Sequence, residues 1–498
     1  MSSLRFLFIL VLVISCKSGK DIKKQDDTIK NTAPNIVYIL ADDMGYGDLS
    51  SLNPESGIQT PHMDKIVKEG VHFTDAHSNS SVCTPTRYGI ITGRYAWRSR
   101  LKKGVLNGYK PPLIEESRPT VATYLKSNGY KTACIGKWHL GLGLQPKDGD
   151  KSVLAKEGVS NVDFNKKIKD PSDLGFDYSY IIPASLDIPP YVYIEKGKTV
   201  ELPTEYTKGK NEGRGVRWRP GEKAPGFVFE QVLANFTKKS VSFISDQKEV
   251  DSPFFLYFPL TAPHKPWLPI GKAVGKSKAG LYGDYVTMVD DAVGAVVAAL
   301  EKSGKLENTL IIVTSDNGAS WTERDKKKYA HRANYIYKGR KTDIYEGGHR
   351  VPYIAKWSGV IPVGLESNQL MCTTDLFSTL SGILNQPNVE KGAEDSYNLW
   401  PAYTSNPETP IREAVVHHSY FGMFAIRKGK WKYTQNLGSG GLTKPRFIEP
   451  KPNETPGTLY DMINDPEEKN NLYKEHPEII EELEQLLETY KSQGYSNK

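Results

Sequence analysis

The sequence predicts a doubly wound α/β fold, a mostly parallel sheet flanked by helices, with a smaller C-terminal α+β subdomain built from an antiparallel sheet and a terminal helix. Three observations carry that expectation. Continuous apolar runs at Ile36–Leu40, Thr132–Ile135, Phe254–Leu260, Leu310–Thr314 and Pro352–Ala355 have the length and all-round hydrophobicity of parallel strands covered on both faces. Amphipathic stretches at Thr120–Ser127, Val228–Ser245, Tyr285–Lys302 and Thr374–Leu384 lie between them, as strand–helix alternation requires. Past residue 400 the texture changes: Glu413–Ala425 and Lys430–Thr434 read as antiparallel strands, and Pro477–Lys491 as a charged amphipathic helix.

The remaining segments follow from composition. Residues 4–14 form one apolar run, too short for a permanent membrane span, so residues 1–15 read as a signal peptide. Val13-Ile14-Ser15-Cys16 resembles a bacterial lipobox, which implies lipidation at Cys16 and a place on the bacterial cell envelope, in the periplasm or at the outer-membrane surface. Residues 16–34 are polar and read as a flexible tether, followed by an α/β domain over 35–400 and the C-terminal subdomain over 401–498. The stretches 145–225 and 435–458, rich in Gly, Pro and Lys, read as loops over the sheet edge.

The 498 residues, 38% hydrophobic and 25% charged, exclude a fibrous or wholly disordered chain. The excess of 65 basic over 58 acidic residues is too mild for a nucleic-acid binder, although it suits an anionic ligand. Four cysteines are too few for a disulfide scaffold, and Cys134 and Cys372 read as buried hydrophobes. The membrane is then met only through the lipid anchor.

Chemistry gathers after the strands. The first run ends in Asp42-Asp43, the second is followed by Lys137 and His139, the third by His264 and the fourth by Asp316-Asn317. Open α/β sheets build their sites outside the carboxyl ends of strands, so four such endings point to one site. Three carboxylates and an amide offer only oxygen donors, which favours Ca²⁺, or less well Mg²⁺, over zinc. The carboxylates would repel one another without a compensating cation. Between the first two runs, Cys83-Thr84-Pro85-Thr86-Arg87 places a cysteine at a helix N-terminus and an arginine one turn on. A thiolate is a poor partner for a hard cation, and the residues alone leave its role open.

Cys83-Thr84-Pro85-Thr86-Arg87 followed by Thr92-Gly93-Arg94 resembles the sulfatase signature. The resemblance extends in order through Asn35–Asp43, Gly136-Lys137-Trp138-His139-Leu140-Gly141, Thr314–Gly318, Lys341 with Tyr345-Glu346-Gly347-Gly348, and the late Leu459-Tyr460-Asp461 with Asp465-Pro466-Glu467-Glu468 and Asn471-Leu472. The chain is thereby identified as similar to formylglycine-dependent sulfatases of the arylsulfatase type, in the alkaline phosphatase-like superfamily, over roughly residues 35–475. The resemblance implies that Cys83 is oxidised to formylglycine (3-oxoalanine) by a maturating enzyme. It also implies that Asp42, Asp43, Asp316 and Asn317, with residue 83, bind one Ca²⁺ per chain. Arg87, Lys137, His264 and Lys341 would surround a sulfate group, with His264, or in its place Lys341, as acid on the leaving oxygen. His139 would take a proton from the second hydroxyl of residue 83.

The same resemblance places Asp187, His331 and Arg332 at the substrate pocket and implies a sulfated glycan: an algal polymer such as ulvan, carrageenan or porphyran, or a host glycosaminoglycan. Tyr191, Trp218 and Trp267 are candidate sugar contacts. Two rival readings follow from the same residues. One is a phosphodiesterase or phosphonate monoester hydrolase of the same superfamily, and the other a catalytically inactive glycan-binding lipoprotein.

Overall fold

All eight residues of the Asn35–Asp42 strand are buried, and so are all ten of Phe254–Pro263. Side chains of a strand alternate between faces, so full burial requires cover on both sides of the sheet. The computed structural model describes residues 33–147, 159–387 and 392–497, and the signal and lipidation segment expected at 1–16 lies outside them. No helix among the described residues is long and apolar enough to cross a membrane.

Five strands run parallel through the middle of a ten-stranded sheet, in the order Thr309–Ser315, Asn35–Asp42, Phe254–Pro263, Lys131–Lys137 and Tyr178–Ile182. Their carboxyl ends therefore share one edge. Helices Pro61–Glu69, Val232–Asp246 and Gly280–Lys302 pack on one another against the sheet, and Cys83–Thr92, Val121–Ser127 and Leu376–Leu384 form a second group. Gly136 fits the centre of this sheet because a Cβ there would lie 1.9 Å from the Pro259 carbonyl oxygen, and its φ is +140°.

Three expectations need correction. The run around Pro352–Ala355 forms the strand Tyr353–Lys356, which pairs antiparallel with Thr309–Ser315 rather than parallel. An apolar run encodes burial but not direction. The loop assigned to 145–225 contributes the parallel strand Tyr178–Ile182 and the short antiparallel additions Ile194–Glu195 and Lys198–Thr199. Glu413–Ala425 is not one strand: the Ser419–Gly422 turn, closed by Gly422 N–H to Ser419 O at 3.0 Å, divides Ala414–His418 from Phe424–Lys428.

Residues Pro34–Lys498 form one compact unit, within which the C-terminal sheet keeps its own core. Ile480, Leu483, Leu487 and Tyr490 recur at helical spacing along Pro477–Gln493 and bury one face against Val415, Ile426, Tyr433 and Leu459. Each such side chain contributes about 1.5–3 kcal/mol. Buried polar bonds join this sheet to the segment preceding Cys83. Ser80 Oγ and Ser81 N–H donate to His418 O at 3.0 and 3.3 Å, and His417 Nδ1–H donates to Ser78 O at 3.1 Å.

Candidate active site

Asp42, Asp43, Cys83, Arg87, Lys137, His139, His264, Asp316 and Asn317 are all buried around the shared carboxyl edge of the five parallel strands. Cys83 opens the helix Cys83–Thr92, whose ten residues are all buried, and Arg87 projects one turn further along it. Lys341 arrives from a loop whose backbone is tied in place, Lys341 N–H to Ala319 O at 3.0 Å and Thr342 N–H to Ser81 O at 2.8 Å.

Three carboxylates meet three cations here. Arg87 donates to Asp316 Oδ2 from Nε at 3.0 Å and from Nη2 at 2.7 Å, and Nη2 lies 3.5 Å from Asp42 Oδ1. Lys137 Nζ holds Asp42 Oδ2 at 2.7 Å, and Lys341 Nζ holds Asp43 Oδ1 at 2.5 Å. The balance matters because unpaired charges buried this deeply would cost several kcal/mol each. Burial alone would raise the pKa of Asp42, but Lys137, His264 and Arg87 outweigh it and hold the carboxyl below its ordinary range. Asp43 follows the same pattern, with Lys341 and His264 outweighing burial.

Cys83 Sγ lies 3.2 Å from Lys341 Nζ and 3.5 Å from Asp42 Oδ1. Burial, with Asp316 beside it, pushes its thiol pKa well above the ordinary value despite the two lysines. The unmodified side chain is therefore a protonated thiol and a weak nucleophile. Three fixed cations and three carboxylates thus surround a residue that as cysteine is a weak nucleophile.

The two histidines have defined tautomers because a carbonyl can only accept. His264 Nδ1–H donates to Lys265 O at 2.5 Å, which turns Nε2 toward Asp43 Oδ2 at 3.7 Å. Burial and then Lys341 lower the His264 pKa. His139 Nε2–H donates to Leu106 O at 2.8 Å, leaving Nδ1 as the basic nitrogen, 3.5 Å from Ser185 Oγ. Burial, followed by Lys137 and Arg87, drives its pKa far below the ordinary histidine value, so the ring is neutral.

The donor set suits a hard cation. Asn317 Nδ2 donates to Asp43 Oδ1 at 2.7 Å and to Gly318 O at 3.0 Å, while its Oδ1 is buried without a hydrogen-bond partner among the described residues. An orphaned buried carbonyl oxygen beside clustered carboxylates is what an oxygen-liganded Ca²⁺ or Mg²⁺ would satisfy. The Glu346-Gly347-Gly348 segment shapes this region: Gly318 N–H donates to Gly348 O at 3.0 Å, and a Cβ on Gly318 would lie 2.0 Å from Gly347 O. Glu346 is itself held by Arg350 at 2.8 Å and Lys432 at 3.1 Å, and Lys432 by Glu468 at 2.8 Å. The late Asp465–Glu468 segment thus braces the site from behind.

The expected pocket residues are placed differently from one another. Asp187 Oδ1 lies 4.0 Å from His264 Nδ1 and has no hydrogen-bond partner among the described residues. Both nitrogens of His331 are engaged, Nε2 with Asp48 Oδ1 at 2.8 Å and Nδ1 with Gly57 N–H at 3.2 Å. Arg332 Nη1 donates to the carbonyls of Lys326, Tyr329, Ala330 and His331. Tyr191 is buried, with its hydroxyl donating to Arg219 O at 2.7 Å, and Trp218 stacks on Phe229 at 4.3 Å. Trp267 does line the cavity of about 100 Å³ beside His264 and Lys341, under the Arg214 guanidinium at 4.7 Å. Lys265 and Arg340 line the same cavity, and the sequence does not mark them, since a lone cation beside a motif has no periodic signal. Cys134 and Cys372 are free and buried.

The sulfatase family profile matches residues 34–386. The chain belongs to the sulfatase family. An N-acetylgalactosamine-6-O-sulfatase of Bacteroides thetaiotaomicron is 34% identical over 96% of this chain and 97% of its own length. Human arylsulfatase A is 31% identical, covering 91% of this chain and 87% of its own. A solved Bacteroides thetaiotaomicron sulfatase structure, described in connection with the metabolism of multiple glycosaminoglycans, superposes with a TM-score of 0.80 at 32% identity, over 93% of this chain and all of that one. This sulfatase is accordingly a sulfuric ester hydrolase, on a fold that matches its relatives.

Proposed function

We propose that this sulfatase removes sulfate from sulfated carbohydrate, with the 6-O-sulfate of N-acetylgalactosamine in glycosaminoglycan-derived oligosaccharides as the substrate class, using Ca²⁺ and a formylglycine made from Cys83. The observation that carries the reading is the neutral set of three carboxylates and three cations closed around residue 83. The N-acetylgalactosamine-6-O-sulfatase relative, matched almost end to end, supports the sugar.

Asp42, Asp43, Asp316 and Asn317, with residue 83, are the groups that would hold the cation. Together the cation and the hydrated aldehyde would supply an acidified oxygen nucleophile in place of a thiol. Without an added ion the six charged side chains sum to zero, so a divalent cation leaves the site at +2. A sulfate ester, with its single negative charge, and a deprotonated nucleophile would return that sum to zero. Arg87, Lys137 and Lys341 are fixed before substrate arrives, which is the preorganised form of charge stabilisation.

His264 can act on the leaving sugar oxygen only through Nε2, because Nδ1 is committed to Lys265 O. Burial and Lys341 lower its pKa, so Nε2 has a proton to give only in the doubly protonated ring, which a substrate anion would favour. His139 Nδ1, neutral and unprotonated, is the base for the step that regenerates residue 83. Asp187 Oδ1 is the acceptor for a sugar hydroxyl next to the scissile bond. The reading also includes a maturating enzyme as partner, and lipid attachment at Cys16 on a bacterial envelope.

Release of inorganic sulfate from N-acetylgalactosamine 6-sulfate, measured beside hydrolysis of an aryl phosphate diester, tests the assignment. Sulfate release with negligible diester turnover is expected, and the opposite ranking would overturn it. Mass analysis of the residue-83 peptide should show the thiol replaced by an aldehyde.

A further inference from the structure

The mouth of the site carries more positive charge than one sulfate can use. Of the cations lining the cavity of about 100 Å³, Lys341 is held by Asp43 at 2.5 Å and Arg214 by Asp325 at 2.5 Å. Lys265 and Arg340 are left over. Both are only half exposed, and neither forms an ion pair within 4.0 Å among the described residues. Arg340 is steadied through Nε, which donates to Thr443 Oγ1 at 3.1 Å, and Thr443 Oγ1 donates in turn to Asp343 Oδ2 at 2.6 Å. That bond uses one of five N–H groups and leaves the Nη fork without a hydrogen-bond partner among the described residues. Lys265 is fixed at its root by the bond from His264 Nδ1 to its carbonyl, between two prolines.

Half-burying an ammonium group and a guanidinium group without a carboxylate costs free energy that an anionic ligand would recover. Burial lowers the Lys265 pKa, and the opposing pull of Asp187 and Asp43, themselves shared with His264, does not offset burial together with Lys341 and Arg217. Arg217 is exposed just outside, and Arg219 reaches Asp187 only at 3.9 Å. The carboxylates that act on Lys265, Asp187 and Asp43, also face His264, and Asp343 accepts from the Arg340 backbone N–H at 3.2 Å but reaches its guanidinium only through Thr443.

We propose that Lys265 and the Arg340 fork form a second anion subsite beside the sulfate position, so that the preferred substrate is a sulfated sugar carrying a further anionic group. This deepens the carbohydrate reading above and rests on it. Two sources share the required chemistry: the carboxylate of an adjoining uronic acid, and a second sulfate on the same ring. The planar fork of Arg340 accepts either in two-point fashion, and Lys265 supplies a point charge.

The test compares kcat/KM of the mature, calcium-loaded enzyme on four substrates: an aryl sulfate, N-acetylgalactosamine 6-sulfate, its disaccharide with a uronic acid, and N-acetylgalactosamine 4,6-disulfate. The enzyme should favour at least one doubly anionic substrate over the monosulfated sugar by about ten- to hundredfold, the range expected for hydrogen bonds to charged groups. In Lys265→Met that preference should collapse toward unity through KM, with Arg340→Gln as a second, independent variant. Loss of preference confined to the uronate disaccharide assigns the anion to the neighbouring sugar, and loss confined to the disulfate assigns it to the same ring. An enzyme with no such preference, or variants that lower all four substrates in parallel, would overturn the subsite. Turnover of the aryl sulfate but of none of the sugars would instead sink the carbohydrate reading.

Discussion

The Lys341 ammonium lies 3.2 Å from the Cys83 sulfur while holding Asp43 Oδ1 at 2.5 Å. One cation therefore touches both the reacting residue and a carboxylate of the proposed metal set. Burial alone would lower its pKa, but Asp43, Cys83 and Asp42 raise it well above the ordinary lysine value. Its charge is permanent across the physiological range, so it stabilises charge rather than shuttling a proton.

Lys341→Met should accordingly lower kcat by about 10²–10³, the cost of deleting one preorganised charge-stabilising donor. Steady-state kinetics on an aryl sulfate would measure it. A fall confined to KM would contradict a transition-state role.

Cys83→Ala should abolish sulfate release while leaving a folded chain, because the pocket loses only a small thiol. Cys83→Ser should be nearly as inactive when produced in a host that converts only cysteine. Circular dichroism and a sulfate-release assay check both, and wild-type turnover by either variant would remove the need for an aldehyde.

Arg87→Met should destabilise the fold by about 3–5 kcal/mol, because Asp316 would be left buried without the guanidinium that contacts it twice. Urea titration should show the loss as a lower midpoint at unchanged slope. Added calcium should restore part of it by mass action if the carboxylates bind the ion.

Stability should fall on mild acidification, partly through His418. Burial lowers its pKa from 6.5 to about 4, outweighing the opposite effect of the Asn79 backbone beside the ring. The unfolded chain takes up a proton below about pH 6.5 while the folded chain does not, so this contribution is intact above that pH and is lost as pH falls toward 4. The full difference is about 3 kcal/mol. In His418→Leu the acid limb of a Tm-against-pH curve should flatten, and an unchanged limb would assign the effect to other groups.

Gly136→Ala should cost about 2–6 kcal/mol, from the strained positive φ and a Cβ placed 1.9 Å from Pro259 O. Soluble yield and Tm report it. Because Lys137 follows directly, any folded fraction should also lose activity.

Much of this architecture is legible in the chain, for identifiable reasons. Apolar runs mark buried strands, and the groups after them must converge if the strands are parallel, so Asp42, Asp43, Lys137, His264 and Asp316 are readable as one site. Strand direction is not written in an apolar run, hence the antiparallel Tyr353–Lys356. Tyr178–Ile182 is hidden in a stretch whose Gly, Pro and Lys content reads as loop. What each polar atom touches is equally invisible: nothing in Ala330-His331-Arg332 foretells that His331 spends both nitrogens on Asp48 and Gly57, or that Arg332 caps four carbonyls. Lys265 and Arg340 stand out only once the missing counter-charges are seen in three dimensions.

The bonds from Ser80 and Ser81 to His418 have a consequence for timing. Ser80 and its acceptor are 338 residues apart, so the segment leading into Cys83 cannot be locked until nearly the whole polypeptide has been made. Once locked, Cys83 is only 2% exposed, which leaves another enzyme little access to its sulfur. Under the reading proposed above, oxidation of that residue would be completed while the chain is still growing or unfolded. The closing of the C-terminal sheet would then act as the deadline for maturation, sealing in whichever side chain, thiol or aldehyde, is present at that moment.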